Sequence, residues 1–170
     1  GGSVPAGAVP VGAGAVGSFI GARLALAGSR VTLVGRPSLV EVAQKTGIRL
    51  VEPEGERQTP PLHAFTTLAE AFAASQVDLA ILTVKAFDTT AVIAELRAAA
   101  PEPPPLLSLQ NGVGNEESLA EAFGPNRIIA GAIDTPLSIG SQGVVRAHRA
   151  RYRAGLAPGE LAGVRRRLQP

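Results

Sequence analysis

The sequence predicts an α/β fold, a doubly wound and mostly parallel sheet with helices on both faces. Short apolar runs alternate with Ala- and Leu-rich stretches of helical periodicity, which is typical of successive βαβ units. Residues 79–84 are apolar without alternation, as expected for a central strand that is buried on both faces. A glycine-rich turn follows the first apolar run. These observations favour one domain over residues 9–170, and residues 1–8 are expected to be a tag remnant or a disordered leader.

The apolar periodicity and the capping residues place the individual elements along the chain. Strands are predicted at residues 9–11, 31–34, 79–84, 106–109 and 128–133. Helices are predicted at residues 16–27, 39–45, 67–74 and 88–100, with two more beginning at 115 and 160. A hairpin insertion is predicted from residues 48–51 and 57–59, and an antiparallel pair from residues 144–147 and 152–156. Because Pro10 has no backbone N–H to donate, the first strand is expected to be short, distorted or differently built.

The composition excludes several functional classes. The sequence contains no cysteine, which excludes a disulfide scaffold, iron–sulfur ligation and thiol catalysis. His63 and His148 are the only histidines, so a multi-histidine metal site is excluded and no metal is expected. Residues 1–22 are uncharged, but seven of them are glycine and two are proline, which leaves too few bulky side chains to drive membrane insertion. We therefore expect a soluble, cytoplasmic protein.

The formal net charge of +2 hides an asymmetry along the chain. Residues 141–170 carry seven arginines and one acid, Glu160, so the preceding residues are net acidic. A basic segment can bind nucleic acid through its phosphates. However, Tyr152 is the only aromatic residue in this segment, and it gives little support for base stacking. We interpret the segment as a solvated strand edge and helix face, and expect no nucleic-acid partner.

A glycine motif lies between the first predicted strand and the first predicted helix. Its pattern is Gly12-x-Gly14-x-x-Gly17. In dinucleotide-binding folds the first glycine allows a tight turn, the second lets a pyrophosphate approach the backbone, and the third lets the helix pack on the strand. The free N–H groups at the start of the helix then bind the phosphates. The segment therefore predicts a dinucleotide site formed by Gly12, Ala13, Gly14, Ala15, Val16 and Gly17.

The residue at the end of the second predicted strand indicates which dinucleotide is bound. NAD-binding sites usually have an Asp or Glu about 20 residues after the glycines, which accepts from the ribose 2′-OH. Here Arg36 occupies this position, 19 residues after Gly17, and no acid is adjacent. A guanidinium can hold a 2′-phosphate in a bidentate contact, whereas a carboxylate would repel it. Arg36 therefore favours NADP as the cofactor.

Two polar residues follow the next two parallel strands and are candidates for contact with the cofactor and substrate. Lys85 comes after residues 79–84, and Asn111 comes after residues 106–109. Ligands bind at the carboxyl ends of the strands in open α/β sheets. Reduction of a ketone also needs a proton donor, for which Lys85 is a candidate. The Asn111 amide can donate and accept hydrogen bonds near a nicotinamide or a carbonyl.

Four stretches, in this order and spacing, resemble the ketopantoate reductase (2-dehydropantoate 2-reductase) family. They are Val11-Gly-Ala-Gly-Ala-Val-Gly17, Leu33-Val-Gly-Arg36, Thr83-Val-Lys-Ala-Phe-Asp-Thr89 and Leu109-Gln-Asn-Gly-Val-Gly-Asn-Glu-Glu117. The resemblance extends over residues 11–168. It implies a Rossmann-type, NADP-binding N-terminal domain of an enzyme that reduces 2-dehydropantoate to pantoate with NADPH, on the route to pantothenate and coenzyme A.

The resemblance also implies roles for individual residues. The glycine turn would hold the pyrophosphate and Arg36 the 2′-phosphate, while Lys85 would contact the cofactor and Asn111 would lie near the nicotinamide and the substrate. The family's helical C-terminal domain, which supplies a general-acid lysine and grips the small 2-keto acid substrate, is expected to be absent from this chain. A homodimer is left open.

Two other functions remain open at this point. One is a non-catalytic module that binds NADP(H), because the motifs concern the cofactor rather than the substrate. The other is a related NADP-dependent 2-keto acid reductase, since residues that would read the substrate are not visible in this part of the sequence.

Overall fold

The computed structural model describes residues 7–11, 14–74, 76–83, 89–109, 115–133, 137–140, 143–148 and 154–156. In chain order the elements are β1 (Gly7–Val11), α1 (Ala15–Leu26), β2 (Arg30–Val34), α2 (Pro37–Lys45), β3 (Arg49–Glu52), β4 (Gly55–Gln58), β5 (His63–Phe65), α3 (Leu68–Ala74), β6 (Leu79–Leu82), α4 (Thr89–Ala99), β7 (Leu106–Ser108), α5 (Asn115–Phe123), β8 (Ile128–Ile133), β9 (Leu137–Ile139), β10 (Val144–Ala147) and β11 (Ala154–Leu156). A 3-10 turn, Pro125–Arg127, precedes β8. The helix predicted from Glu160 lies outside the described residues.

Seven strands form the larger sheet, in the order β11-β8-β7-β6-β1-β2-β5. Neighbouring strands are parallel except β11, which is antiparallel to β8. From β1 the chain winds through β2 to β5 in one direction, and from β6 through β7 to β8 in the other. The predicted doubly wound, mostly parallel sheet is confirmed. The strand order reverses between β1 and β6, and ligands of such sheets bind in the crevice at this switch point.

Helices cover both faces of this sheet, as predicted. On one face, Ile20 and Leu24 of α1 pack against a cluster that includes Ile81 of β6. On the other face, α3, α4 and α5 contribute the fully buried Leu68, Leu96 and Leu119. Alternate residues of β6 belong to the two different clusters, because successive side chains of a strand point to opposite faces. None of the described helices is long and apolar enough to cross a membrane.

The first strand accommodates its proline by losing part of one ladder. β1 begins at Gly7, two residues before the predicted start. Its pairing with β6 is continuous from Ala8 to Val11 and includes Pro10 opposite Ile81. On the other side, Gly7, Ala8 and Val11 pair with β2. Val9 and Pro10 do not pair with β2, although both residues lie within the described part of the chain. The expected distortion is therefore confined to the β2 side, and β1 keeps its central place.

A second sheet has the order β4-β3-β10-β9. The predicted hairpin is confirmed as β3 and β4, which are antiparallel with Glu52 opposite Gly55. The predicted antiparallel pair near the end of the chain is wrong. β10 instead pairs antiparallel with β9 and parallel with β3, while β11 joins β8 in the larger sheet. The left-handed φ of +78° at Gly143 lets the chain turn from β9 into β10, so the hairpin forms before β10 rather than after it.

The second sheet packs on α1 through apolar side chains and one ion-pair network. Phe19 of α1, Leu50 of β3 and Val145 of β10 share one buried cluster. Beside it, the Glu52 carboxylate accepts hydrogen bonds from Arg23 of α1 at 3.2 Å and from Arg57 of β4 at 2.8 Å. The Glu52 side chain is only 7% exposed, whereas the two arginine side chains are about half exposed. Glu52 therefore ties the second sheet to the first helix.

Glu52→Ala should destabilise the chain by about 1–2 kcal/mol, because two charge-assisted hydrogen bonds at a largely buried carboxylate are lost. Glu56→Ala is the matched control, since Glu56 pairs with Arg49 on the same sheet but is 49% exposed. Exposed pairs contribute little, so the control should change the free energy of unfolding by less than about 0.5 kcal/mol. Urea unfolding of both variants measures the difference. Equal losses would show that burial of Glu52 adds nothing.

Candidate dinucleotide site

The carboxyl ends of the parallel strands form one edge of the larger sheet, and the predicted site residues follow these ends. β1 and β6 are neighbours at the switch point, β7 adjoins β6, and β2 adjoins β1. The chain leaves this edge after each parallel strand, and four of these connections lead to α1, α2, α4 and α5. A ligand bound across the edge would therefore meet four connections whose sequences include the glycine turn, Arg36, Lys85 and Asn111.

The glycine turn leads from β1 into α1. Gly12 and Ala13 lie outside the described residues. Gly14 is exposed and extended, with φ −81° and ψ −152°, and stands immediately before the first helical residue, Ala15. Gly17 is the buried third residue of the helix, where the motif requires close packing of helix on strand. The described part of the turn thus has the exposure pattern that the motif predicts, with Ala15 and Val16 half-buried between the two glycines.

Within the described part of the chain, no protein group competes with a phosphate at the start of α1. No side chain caps it, and its first turn contains no acid. The start of α3 is filled differently: the Leu68 N–H donates to Glu95 at 2.8 Å, and the Glu70 N–H donates to the Thr67 hydroxyl at 3.2 Å. Helix N-termini carry a partial positive charge and unpaired N–H groups. At α1 these groups are left for an anionic ligand, so the residues present fit a pyrophosphate.

Arg36 stands at the end of β2, as the residue immediately before α2. It is exposed, and none of the described carboxylates forms an ion pair with it. The preceding residue is fixed because the Gly35 N–H donates to the Phe65 carbonyl of β5 at 3.1 Å. Like α1, α2 has no capping side chain and no acid in its first turn. The guanidinium is therefore available at the edge of the sheet.

One neighbour of Arg36 was not singled out from the sequence. Ser38 is the exposed second residue of α2, so its hydroxyl lies on the first turn beside Arg36. A serine two residues after an arginine does not by itself indicate a phosphate contact. From the sequence, only the arginine after the strand predicts a binding site at this position.

The structure does not test Lys85 and Asn111 directly, since both lie outside the described residues. The strands that precede them are placed: β6 and β7 are adjacent and parallel, with Leu82 opposite Ser108. The Leu109 N–H donates to the Leu82 carbonyl at 3.0 Å and extends the ladder by one residue. Both segments therefore leave the sheet side by side at the carboxyl edge, next to β1.

His63 does not belong to this edge. It is exposed at the amino end of β5, and it lines a cavity of about 290 Å³ together with Gln44 and Phe65. The Gln44 amide donates to the Ala64 carbonyl at 2.8 Å and so covers part of the free edge of β5. His63 therefore lies on the surface, at the opposite end of β5 from the candidate site.

The strand order, the switch point and the glycine turn define the class of the chain: a Rossmann-type α/β domain, the fold that binds dinucleotides at such an edge. The family model described as Ketopantoate reductase PanE/ApbA matches residues 9–159. The chain belongs to this family.

Relatives and solved structures agree with this assignment. A 2-dehydropantoate 2-reductase of Pyrococcus horikoshii is 35% identical over 135 residues, which are 79% of this chain and 42% of that protein. A 2-dehydropantoate 2-reductase of Archaeoglobus fulgidus is 40% identical over 114 residues, 65% of this chain and 34% of that protein. The crystal structure of 2-dehydropantoate 2-reductase from Geobacter metallireducens superimposes with a TM-score of 0.78 at 29% identity, covering 95% of this chain and 55% of that one.

The chain therefore spans about two fifths of the first of these curated relatives and about half of the solved structure. The part that is shared carries the sheet and the candidate dinucleotide edge.

Proposed function

We propose that the chain is the NADPH-binding part of a reductase that converts 2-dehydropantoate to pantoate. The observation that carries the proposal is the edge at the switch point. There the uncapped, acid-free start of α1 lies beside the end of β2, which is followed by Arg36 instead of an acid. The substrate in this proposal is taken from the relatives named 2-dehydropantoate 2-reductase. Such an enzyme would act in the cytoplasm.

The pyrophosphate would be bound by backbone groups of the glycine turn. Gly12, Ala13 and Gly14 would let it approach the chain, and the N–H groups of Ala15, Val16 and Gly17 at the start of α1 would donate to it. Glycine at position 14 is suited to this contact because it is exposed and has no side chain to keep a phosphate away from the backbone.

The 2′-phosphate would lie at the end of β2. The Arg36 guanidinium would donate to it in a bidentate contact, and the Ser38 hydroxyl would add a further donor from the first turn of α2. In an NAD site this place would be taken by a carboxylate that accepts from the ribose 2′-OH. The residues from Val34 to Ser38 include none, so this end of the site favours NADPH over NADH.

The reacting end of the cofactor would lie over β6 and β7. The nicotinamide, when bound, supplies the hydride that adds to the keto carbon of the substrate. We assign to Asn111 the role of orienting the nicotinamide and the substrate carbonyl by hydrogen bonds. Lys85 would contact the cofactor and stabilise the negative charge that develops on the carbonyl oxygen. The part of the relatives beyond this span would supply the proton donor and the groups that hold the 2-keto acid.

Titration of the purified chain with NADPH and NADH by calorimetry tests the cofactor proposal. A hydrogen-bonded charge pair at the 2′-phosphate contributes about 1.5–3 kcal/mol, so NADPH should bind roughly 10- to 150-fold more tightly than NADH. Equal binding of the two would contradict the role of Arg36. Binding of neither would contradict the dinucleotide site itself.

A chimera tests the reductase against the non-catalytic module. Residues beyond the match in the Pyrococcus horikoshii relative would be joined to this chain, and oxidation of NADPH would be followed with 2-dehydropantoate and with a shorter 2-keto acid. Turnover of 2-dehydropantoate supports the proposal, and turnover of only the other acid favours a related 2-keto acid reductase. A folded chimera that binds NADPH without turnover favours the module.

A further inference from the structure

Ser108 carries the least expected polar group in the described part of the chain. It is fully buried, and its hydroxyl has no hydrogen-bond partner. Four other polar residues are buried there, namely Ser18, Thr32, Thr59 and Thr89. Each of these four interacts with a partner. An unpaired buried hydroxyl costs free energy, so its presence requires an explanation.

Among the residues that the structure describes, the surroundings of Ser108 give no structural reason for a serine. Leu106, two residues earlier on the same face of β7, belongs to the apolar cluster under α4 and α5. Leu82, its register partner on β6, belongs to the same cluster and is also fully buried. An alanine at position 108 would fit this cluster and leave no polar atom unpaired. The hydroxyl is therefore not explained by packing.

The position of Ser108 points to the ligand edge. It is the last residue of β7, on the strand next to the switch-point strand β6, and it lies one residue before the final ladder hydrogen bond from Leu109 to Leu82. Polar groups placed under a binding edge can find their partners in the bound state, which makes them favour that state over the free one.

We propose that the Ser108 hydroxyl is a positioning group for the dinucleotide edge, unpaired in the free chain and hydrogen-bonded when a nicotinamide dinucleotide is bound. This inference rests on the proposed function. Because the hydroxyl lies at the end of β7 rather than at the 2′-phosphate, it contributes equally to the binding of NADPH and NADH. It acts by holding the end of β7, not by touching the reacting atoms.

The test compares Ser108→Ala with Ser29→Ala. Ser29 also has a buried hydroxyl without a partner, but it precedes β2 at the amino edge, away from the ligand. Thermal unfolding of the free chains and calorimetric titration with NADPH and NADH are measured for both variants. Removal of an unpaired hydroxyl should keep or raise the melting temperature of the free chain in both, by up to roughly 5 °C.

Only Ser108→Ala should weaken dinucleotide binding, about three- to tenfold and by the same factor for NADPH and NADH. A lower melting temperature of free Ser108→Ala would overturn the inference, because the hydroxyl would then already be bonded in the free chain. Unchanged affinity in Ser108→Ala, or an equal loss in Ser29→Ala, would overturn it as well. If the wild-type chain binds neither dinucleotide, the proposed function fails and takes this inference with it.

Discussion

Arg36→Ala should weaken the binding of NADPH about 10- to 150-fold and leave the binding of NADH nearly unchanged. The expected loss corresponds to about 1.5–3 kcal/mol, the range for hydrogen bonds to a charged group. NADH lacks the 2′-phosphate, so it offers nothing for the guanidinium to bind at this place. Because Arg36 is exposed and has no carboxylate partner among the described residues, its removal should not disturb the fold.

The control for this variant is Arg146→Ala. Arg146 is an exposed arginine of β10 in the second sheet, away from the carboxyl edge of the larger sheet. Arg146→Ala changes the net charge of the chain by the same amount as Arg36→Ala, so an effect of net charge alone would appear in both variants. Calorimetry at one fixed ionic strength should show the selective loss only in Arg36→Ala. Equal losses for NADPH and NADH in Arg36→Ala would contradict the 2′-phosphate role.

Local signals were sufficient to predict the parallel core of the fold. The unbroken apolar run that becomes β6 and the helical spacing of α1 lie within single segments, and the structure places both close to their predicted bounds. The second sheet depends on a parallel pairing of β3 with β10, two segments separated by almost a hundred residues. No pattern within either segment specifies such a partner. β5 was missed for a different reason, since it has three residues and follows two prolines.

Some parts of the candidate site also follow from local sequence patterns, whereas others depend on the folded structure. The glycine turn and Arg36 could be predicted because their chemistry depends on spacing after a strand, and the sheet order puts both at one edge. The bare start of α1 becomes meaningful only beside α3, whose start is occupied by the Glu95 carboxylate from another helix. Ser108 could not be distinguished from any other serine in the sequence. Its significance depends on burial without a partner, which only the packed structure shows.

Gly47→Ala should destabilise the chain strongly for a single added methyl group, with a loss of about 3–5 kcal/mol. Gly47 has a left-handed φ of +80° just after α2, which costs an alanine about 1–2 kcal/mol. An added Cβ would also collide with the carbonyl oxygens of Thr59 and Pro60. These atoms cannot move aside, because the Ile48 N–H donates to the Thr59 hydroxyl at 2.9 Å and the Thr59 N–H donates to the Ile48 carbonyl at 3.0 Å.

Gly28→Ala separates the two causes of this loss. Gly28 follows α1 with a similar φ of +97°, but nothing lies within 4 Å of the position its Cβ would take. It should therefore lose only the backbone term, about 1–2 kcal/mol, in the same urea unfolding experiment. Equal losses in the two variants would show that the segment around Thr59 relaxes.

Since Arg36 and Gly47 flank opposite ends of α2, any folded fraction of Gly47→Ala should keep the preference for NADPH over NADH. Loss of that preference would instead mean that the carboxyl end of α2 determines the position of its amino end, where Arg36 lies.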